Sequence, residues 1–234
     1  MRLHRALARS GVASRRRAEE LIRAGLVRVN GTVGSIGQQV DPDSDVITVR
    51  GRRVKPVAAV WIALHKPVGY VVTRKDPRGR PTVFSLLPDT PGLTYVGRLD
   101  VMTSGLLLLT TDGTAVHRLT HPRYSVERTY RALVHGRSLH DIRRELARPV
   151  VIDGRPVNIV RFEMAERQGS VELTLVLVEG RYRIVRRLCE RWRLKVERLV
   201  RLSYGPIRLG RLAPGQWRHL RPGELDALRA MRAA

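Results

Sequence analysis

The chain has 234 residues, 43% of them hydrophobic, with 44 Lys+Arg against 21 Asp+Glu and a formal net charge of +23. That apolar share supports a packed core and excludes wholesale disorder, and the length suits one large domain or a small domain with a medium one. A cationic surplus of this size gathers polyanions, so nucleic acid is the expected partner. Only Lys55, Lys66, Lys75 and Lys195 are lysines. The rest is arginine, whose planar fork pairs with phosphate and stacks on bases. A GC-rich coding bias would explain Arg over Lys but not the excess of cations over acids. The single cysteine, Cys189, permits no intrachain disulfide and suits a reducing, cytoplasmic setting. The basic start MRLHRALARSGVASRRR lacks the apolar run of a signal peptide. No stretch nears the ~20 apolar residues of a membrane span, so no membrane association is expected.

In chain order, Leu3, Ala6 and Leu7 have helical spacing and Gly11 is a natural stop. Ser14 is a fitting N-cap for a second helix with Ala18, Leu21 and Ile22 on one face, closed by Gly25. Val27 and Val29 alternate with polar residues, Asn30-Gly31 signals a type I′ hairpin turn, and residues 46–49 read as a strand. Residues 50–57, GRRVKPVA, read as a linker. This divides the chain into a helix–helix–hairpin domain over 1–57 and a second domain over 58–234. In the latter, strand-like runs fall at 60–64, 70–73, 94–96, 106–110, 129–134, 171–178 and 195–202, with helical patterns at 114–120, 139–147, 183–191 and 223–232. Strands and helices mix without strict alternation, which predicts an α+β domain on a mixed, largely antiparallel sheet with flanking helices.

Arg15, Arg16 and Arg17 open the second helix, where cations oppose the helix dipole, and phosphate contact is the reading that explains them. Arg5 adds charge on the first helix. The segment RLHRALARSGVASRRRAEELIRAGLVRVNGTV closely resembles an S4 RNA-binding domain: the leading Arg-Leu, the GVASRR turn, the Ala-Glu-x-Leu-Ile core and the VxVNG hairpin. The resemblance implies that Arg5, Arg15, Arg16, Arg17, Asn30 and Gly31 face structured RNA.

A second motif runs from Tyr95 to Leu106, with Arg98, Asp100, Thr103 and Ser104 concentrated between Gly97 and Gly105. Glycine flanks let the backbone turn sharply, and a carboxylate on such a rim can act as nucleophile or base. An arbitrary loop aspartate is more often a turn cap beside a neighbouring arginine. The surrounding residues carry the distinction: GRLDVMTSGLLLLTTDG resembles the signature of the RsuA/RluB-type pseudouridine synthases, in which this aspartate is catalytic. Asp112, inside the same signature, also suits the N-cap of the next helix.

Further segments agree in order. His65-Lys66-Pro67-Val68-Gly69-Tyr70 resembles the family's KPxG element, and Glu127-Arg128-Thr129-Tyr130-Arg131 its Lys/Arg-x-Tyr strand. The stretch 179–188 resembles its EGRxRxVRR element, and 198–207 tilts the resemblance toward large-subunit, RluB-like enzymes. Tyr182 and Ile184 stand where the family usually has Asn and Gln or Glu; Leu188 and Met102 also depart from common residues. The resemblance implies a catalytic trio of Asp100, Tyr130 stacked on the flipped uracil, and Arg186 paired with Asp100. It implies substrate contacts from Arg98, Thr103, Ser104, Arg181 and Arg183, with Lys66 and the arginines of 181–201 tracking phosphates.

The histidines show no metal-ligand pairing and no phosphate-binding GxxxxGK[ST] is present, so neither metal nor nucleotide hydrolysis is expected. The implied reaction breaks the N1–C1′ bond of a ribosomal uridine, turns the base and joins C5 to C1′, with no cofactor. Asp100 as nucleophile at C1′, base at C2′ or nucleophile at C6 stays open. The expected partner is ribosomal RNA, 23S rather than 16S, and the expected state is a monomer. Two alternatives are a ribosome-assembly factor that binds RNA with an inactive synthase fold, and an RNA nuclease or glycosylase. The presence of both Asp100 and Tyr130 argues against the first, and the strand breaks or free uracil of the second are not products of an isomerase.

Overall fold

The structure, a computed structural model, describes residues 1–41, 44–55, 58–146 and 148–231. It divides into two compact units. The first gathers Met1–Trp61, Asp89–Thr94 and Leu109–Val116, and the second Ile62–Pro88, Tyr95–Leu108 and His117–Ala234.

In the first unit, α1 (Leu3–Arg9) and α2 (Arg15–Arg23) precede a small sheet of β1 (Val27–Val29), β2 (Thr32–Val33), β3 (Ile47–Val49) and β4 (Arg52–Arg53). The Ser14 side chain accepts from Arg17 N, as an N-cap should. Leu3, Leu7, Ala18 and Ile22 meet Val27 and Ile47 in one core. Asn30 and Gly31 both have positive φ (51° and 84°), the type I′ requirement. The stretch expected to be a linker is half a hairpin instead. Arg50 and Gly51 also have positive φ (50° and 75°) and turn β3 into β4. The rest of that expectation, at 56–57, lies outside the described residues, as do the last residues expected in the helices at 147 and 232.

The second unit is built on most of a nine-stranded sheet, with α4 (Leu139–Leu146), α5 (Ile184–Arg191) and α6 (Pro222–Ala230); α3 (Gly113–Thr120) begins in the first unit and ends in the second. The strands are β5 (Trp61–Lys66), β6 (Thr94–Val96), β7 (Ser104–Thr110), β8 (Arg128–His135), a separate two-stranded pair β9 (Val151–Ile152) and β10 (Arg155–Pro156), β11 (Ile159–Arg167), β12 (Ser170–Leu177), β13 (Lys195–Tyr204), β14 (Ile207–Arg208) and β15 (Trp217–His219). The main path runs β11-β12-β8-β13-β7-β5-β15, with β14 on β13 and β6 on β7. The β13–β7 pairing is parallel and the neighbouring β8–β13, β8–β12 and β11–β12 pairings are antiparallel, so the mixed α+β expectation holds. Strand β7 is buried along its whole length, and its continuous SGLLLLT run reflects that two-sided cover.

One expectation fails here, and one long strand was not expected. Residues 70–73 form no strand; Val71 makes a single bridge to Thr82, its N–H bonded to Pro81 O. Strand β11 was not read from the sequence, because it is a largely exposed edge with no alternation to see. Among the described residues no helix is long and apolar enough to cross a membrane, and no group of three or more His, Cys, Asp or Glu is placed to hold a metal.

Candidate active site

The Asp100 loop joins β6 to β7, and its shape is fixed by its own backbone and two cations. Asp100 O accepts from Thr103 N at 3.1 Å, closing a turn. The next three carbonyls are each held. Val101 O accepts from Gly69 N (2.9 Å) and Lys66 Nζ (3.3 Å), Met102 O from Arg186 Nη2 (2.6 Å), and Thr103 O from Lys66 Nζ (2.8 Å). Lys66 completes its set on Pro67 O at 2.9 Å. The KPxG segment is therefore a clamp under the loop, and Arg186 at the start of α5 is a second clamp over it.

This corrects the reading of Lys66 as a phosphate contact. The side chain is 0% exposed and its three N–H groups are all directed to backbone carbonyls. Burial pushes its pKa down to about 8, Asp100's negative charge opposes that shift, and Arg201's positive charge adds to it. Arg186 is also pushed below its ordinary range, first by burial and then by Arg183, with Asp100 opposing. Asp100 thus lies in the field of both cations. Among the described residues the strict Asp100–Arg186 ion pair is not formed: Arg186 grips the loop at Met102 O, and its buried Nε has no hydrogen-bond partner.

Tyr130 approaches from the sheet. It is 7% exposed on β8 and sits directly opposite Arg201 of β13, which in turn sits opposite Gly105 of β7. With strands ~4.8 Å apart, that row puts Tyr130 two strands, roughly 10 Å, from the start of β7. Gly105 has φ +109°, and a Cβ there would meet Arg201 N and O at 2.4 Å, so the close β7–β13 approach requires glycine. Arg186 therefore grips the loop that carries Asp100, and Tyr130 lies on the same row of the sheet as Gly105, two strands from the loop's exit.

The remaining predicted residues divide. Arg98 is exposed on the loop, while Thr103 and Ser104 are buried at its exit, Thr103 Oγ1 without a hydrogen-bond partner. Arg183 holds positive φ as the residue preceding α5 and reaches Glu190 at 3.5 Å. Arg181 is occupied by the fold, donating to the Glu179 carboxylate and to the carbonyls of Ile152 (2.6 Å) and Pro156 (3.1 Å). In the first unit, Arg15 and Arg16 are exposed, Arg17 pairs with Glu20 at 2.6 Å, and Arg5 donates to Thr114 Oγ1 at 2.6 Å. Asn30 ties its hairpin to the chain at 45–46 through Asp45 Oδ1 (2.9 Å) and Val46 N (2.8 Å), and Gly31 O accepts from Arg28. Asp112 caps α3, accepting from Thr114 N and Ala115 N.

Sequence reading missed two buried arginines. Arg201 is 1% exposed, donates through Nε to Leu106 O at 2.8 Å, and lies 5.0 Å from the Tyr204 ring centre, so it does not track surface phosphates. Arg128 is 5% exposed and bonds Leu119 O and the Tyr204 hydroxyl, which itself donates to Leu119 O. The available signal was position: each falls in phase with the buried face of its strand.

Residues 60–191 match the family model for RNA pseudouridylate synthase, and residues 1–47 match the S4 domain. An uncharacterized RNA pseudouridine synthase of Aquifex aeolicus is 40% identical over 236 residues, spanning 97% of this chain and 93% of that protein. The ribosomal large subunit pseudouridine synthase B of Salmonella typhimurium is 38% identical over 98% of this chain and 82% of its own length. A crystal structure of a pseudouridylate synthase superposes with a TM-score of 0.66 at 28% identity, covering 97% of this chain and 99% of the other.

Proposed function

Because the chain belongs to the RNA pseudouridylate synthase family and carries an S4 domain, we propose that it isomerises one uridine of large-subunit ribosomal RNA to pseudouridine, with Asp100 acting at the ribose. The observation that carries this reading is the Asp100 loop, whose carbonyls at 101, 102 and 103 are held in turn by Lys66, Arg186 and Lys66. A carboxylate on a loop fixed in that way is pre-organised, and pre-organisation is what a positioned nucleophile or base requires.

The target uridine leaves its stack at a cost of a few kcal/mol, offset by contacts in the pocket, including Tyr130 against the base. Asp100 acts as nucleophile at C1′ or as base at C2′. The N1–C1′ bond breaks, the base turns, C5 bonds to C1′ as Asp100 leaves C1′ or gives the proton back to C2′, the C5 hydrogen leaves to water, and N1 gains a proton. Substrate and product contain the same atoms, so the sequence of steps needs no co-substrate. Arg186 and Lys66 act through the loop as positioning residues. The S4 domain, through Arg15 and Arg16, holds structured RNA by its backbone. Its relatives named for the large ribosomal subunit support 23S over 16S as substrate.

The test is tritium release from C5-labelled ribosomal RNA. Asp100→Asn should lower the rate by at least about 1,000-fold, the scale of removing a group central to the chemistry. Release at the wild-type rate would end the assignment of Asp100. Carbodiimide-based primer extension on 23S and 16S RNA from cells lacking the gene then identifies the missing pseudouridine.

A further inference from the structure

The chain after β13 folds back to form a cleft of about 480 Å3 in the second unit, with no residue of the Asp100 loop among its lining. Arg208, Arg211, Arg218 and Arg221 line it, with Glu224 as the acid among its lining residues. Glu224 is fully engaged. It receives a two-pronged fork from Arg218 (Nη1–Oε2 and Nη2–Oε1, both 2.7 Å) and the backbone N–H of Arg221 (2.8 Å). Arg218 holds its carboxyl below the ordinary range, which keeps that fork charged. The acid therefore neutralises Arg218 and leaves Arg208, Arg211 and Arg221, all exposed, with no ion-pair partner among the described residues.

The walls are built in advance of any ligand. Leu209 N donates to Leu202 O at 2.8 Å, Gln216 Oε1 accepts from Ala213 N, and the loop at 212–216 is fastened to β5 through His65. His65 Nδ1 lies 2.7 Å from Leu212 O, its N–H donates to Gln216 O at 2.9 Å, and its carbonyl accepts from Gly215 N at 2.8 Å. The volume lies in the ~300–1,000 Å3 range of ligand sites, but the lining charge suits an anion and not an apolar molecule. Three exposed arginine forks around one cleft offer paired donors suited to phosphate oxygens.

We propose that this cleft is a second RNA site, separate from the site of the target base, which holds a segment of sugar–phosphate backbone. It rests on the reading that the substrate is ribosomal RNA. The cleft wall hangs on His65, and the next residue, Lys66, supports the Asp100 loop. One strand thus anchors both the backbone grip and the catalytic loop, so RNA held in the cleft is held against the strand that carries the chemistry's support.

The test is the salt dependence of binding to a ribosomal RNA fragment that the wild-type protein modifies. Each phosphate contact contributes about 0.7–0.9 to the slope of log K against log salt. The triple variant R208Q/R211Q/R221Q should lower that slope by about 2. R208K/R211K/R221K, which keeps the charges, should retain the wild-type slope. R143Q/R144Q/R148Q, which removes the same charge from exposed positions at and after α4, should change it by less than about half as much. Equal losses in the cleft and α4 variants would reduce the effect to general charge and overturn the proposal, as would loss of slope in the lysine variant. Protection of the wild type alone from thermal unfolding by inorganic phosphate at fixed ionic strength, with an unchanged RNA slope in the glutamine variant, would make the site one for free anions and overturn the RNA assignment. Failure of the wild-type protein to modify or bind the RNA would instead sink the proposed function.

Discussion

Replacing Lys66 with methionine separates two effects that the structure sets against each other. The wild-type ammonium is fully buried and its pKa falls from 10.5 to about 8, so charging it inside the fold costs about 3 kcal/mol more than in the unfolded chain. Methionine fills nearly the same space without that charge. It also withdraws the donor from Pro67 O and Thr103 O, while Val101 O keeps Gly69 N–H. Two stranded carbonyls cost about 1–3 kcal/mol each. The balance at pH 7 lies between a gain of about 1 and a loss of about 3 kcal/mol, alongside a large fall in tritium release, because the loop carbonyls after Asp100 lose their clamp. The pH dependence gives the sharper signature. Between about pH 8 and 10.5 the unfolded lysine still binds a proton that the folded one has released, so the unfolded state binds more protons and wild-type stability rises with pH by up to about 3 kcal/mol. Urea melts of both proteins from pH 7.5 to 10.5 isolate this contribution as a difference, since every other group is shared. Parallel curves for wild type and Lys66→Met would refute the argument that burial governs this lysine.

Cys189 carries the opposite sign. Burial pushes its thiol from 9.0 up to about 12, so the unfolded chain releases a proton that the folded one keeps, and this group lowers stability by up to about 4 kcal/mol as pH rises from 9 to 12. Cys189→Ala should lose that decline in urea melts above pH 9; an unchanged decline counts against it. Gly105→Ala should cost more than about 3 kcal/mol and lower Tm by about 6 °C or more, since its Cβ would meet the Arg201 backbone at 2.4 Å; a Tm within 2 °C of wild type, roughly the resolution of a melt, would show that β7 and β13 can part without penalty. Arg186→Gln should reduce kcat for tritium release about 100-fold with little change in Tm, because it removes the donor to Met102 O from a side chain that is partly exposed; a normal kcat with a raised KM would make Arg186 a binding residue instead.

What could be read from the sequence was local. The Ser14 cap, the Asn30-Gly31 turn and the helical spacing of α1 and α2 each act within a few residues, and each appears in the structure. The Arg50-Gly51 turn was hidden because arginine is not a usual residue at positive φ, so a hairpin looked like a linker. Strand β11 exists through its pairing with β12 and presents charged and apolar residues alike to solvent, which leaves no period-2 signal. The aromatic and β-branched run at 70–73 had strand composition, yet the segment makes one bridge and then bonds locally to 81–83. At the site, the loop motif and the nearness of Arg186 to it were recognisable from strings of residues, but the place of Lys66 against the loop carbonyls was not. Lys66 follows four buried residues on β5 and is buried with them, an environment that composition assigns to almost no lysine.

The cations of this chain therefore fall into two classes that physics treats differently. Arg15, Arg16, Arg208, Arg211 and Arg221 stand in solvent, where charges separated by more than ~10 Å are screened at 0.1 M salt and act chiefly on the capture of a polyanion. Lys66, Arg128 and Arg201 lie inside, and each donates hydrogen bonds to backbone carbonyls at close range. Screening by salt reaches these little, because the partner is a dipole in contact and no water or ion lies between. Arg186 stands at the boundary, half-buried, with one nitrogen on the Asp100 loop and another without a partner. A net charge of +23 would by itself suggest only adhesion to RNA. Placing four of those cations against carbonyls of the Asp100 loop and its neighbouring elements turns part of that charge from a means of attraction into the scaffold on which one carboxylate is fixed.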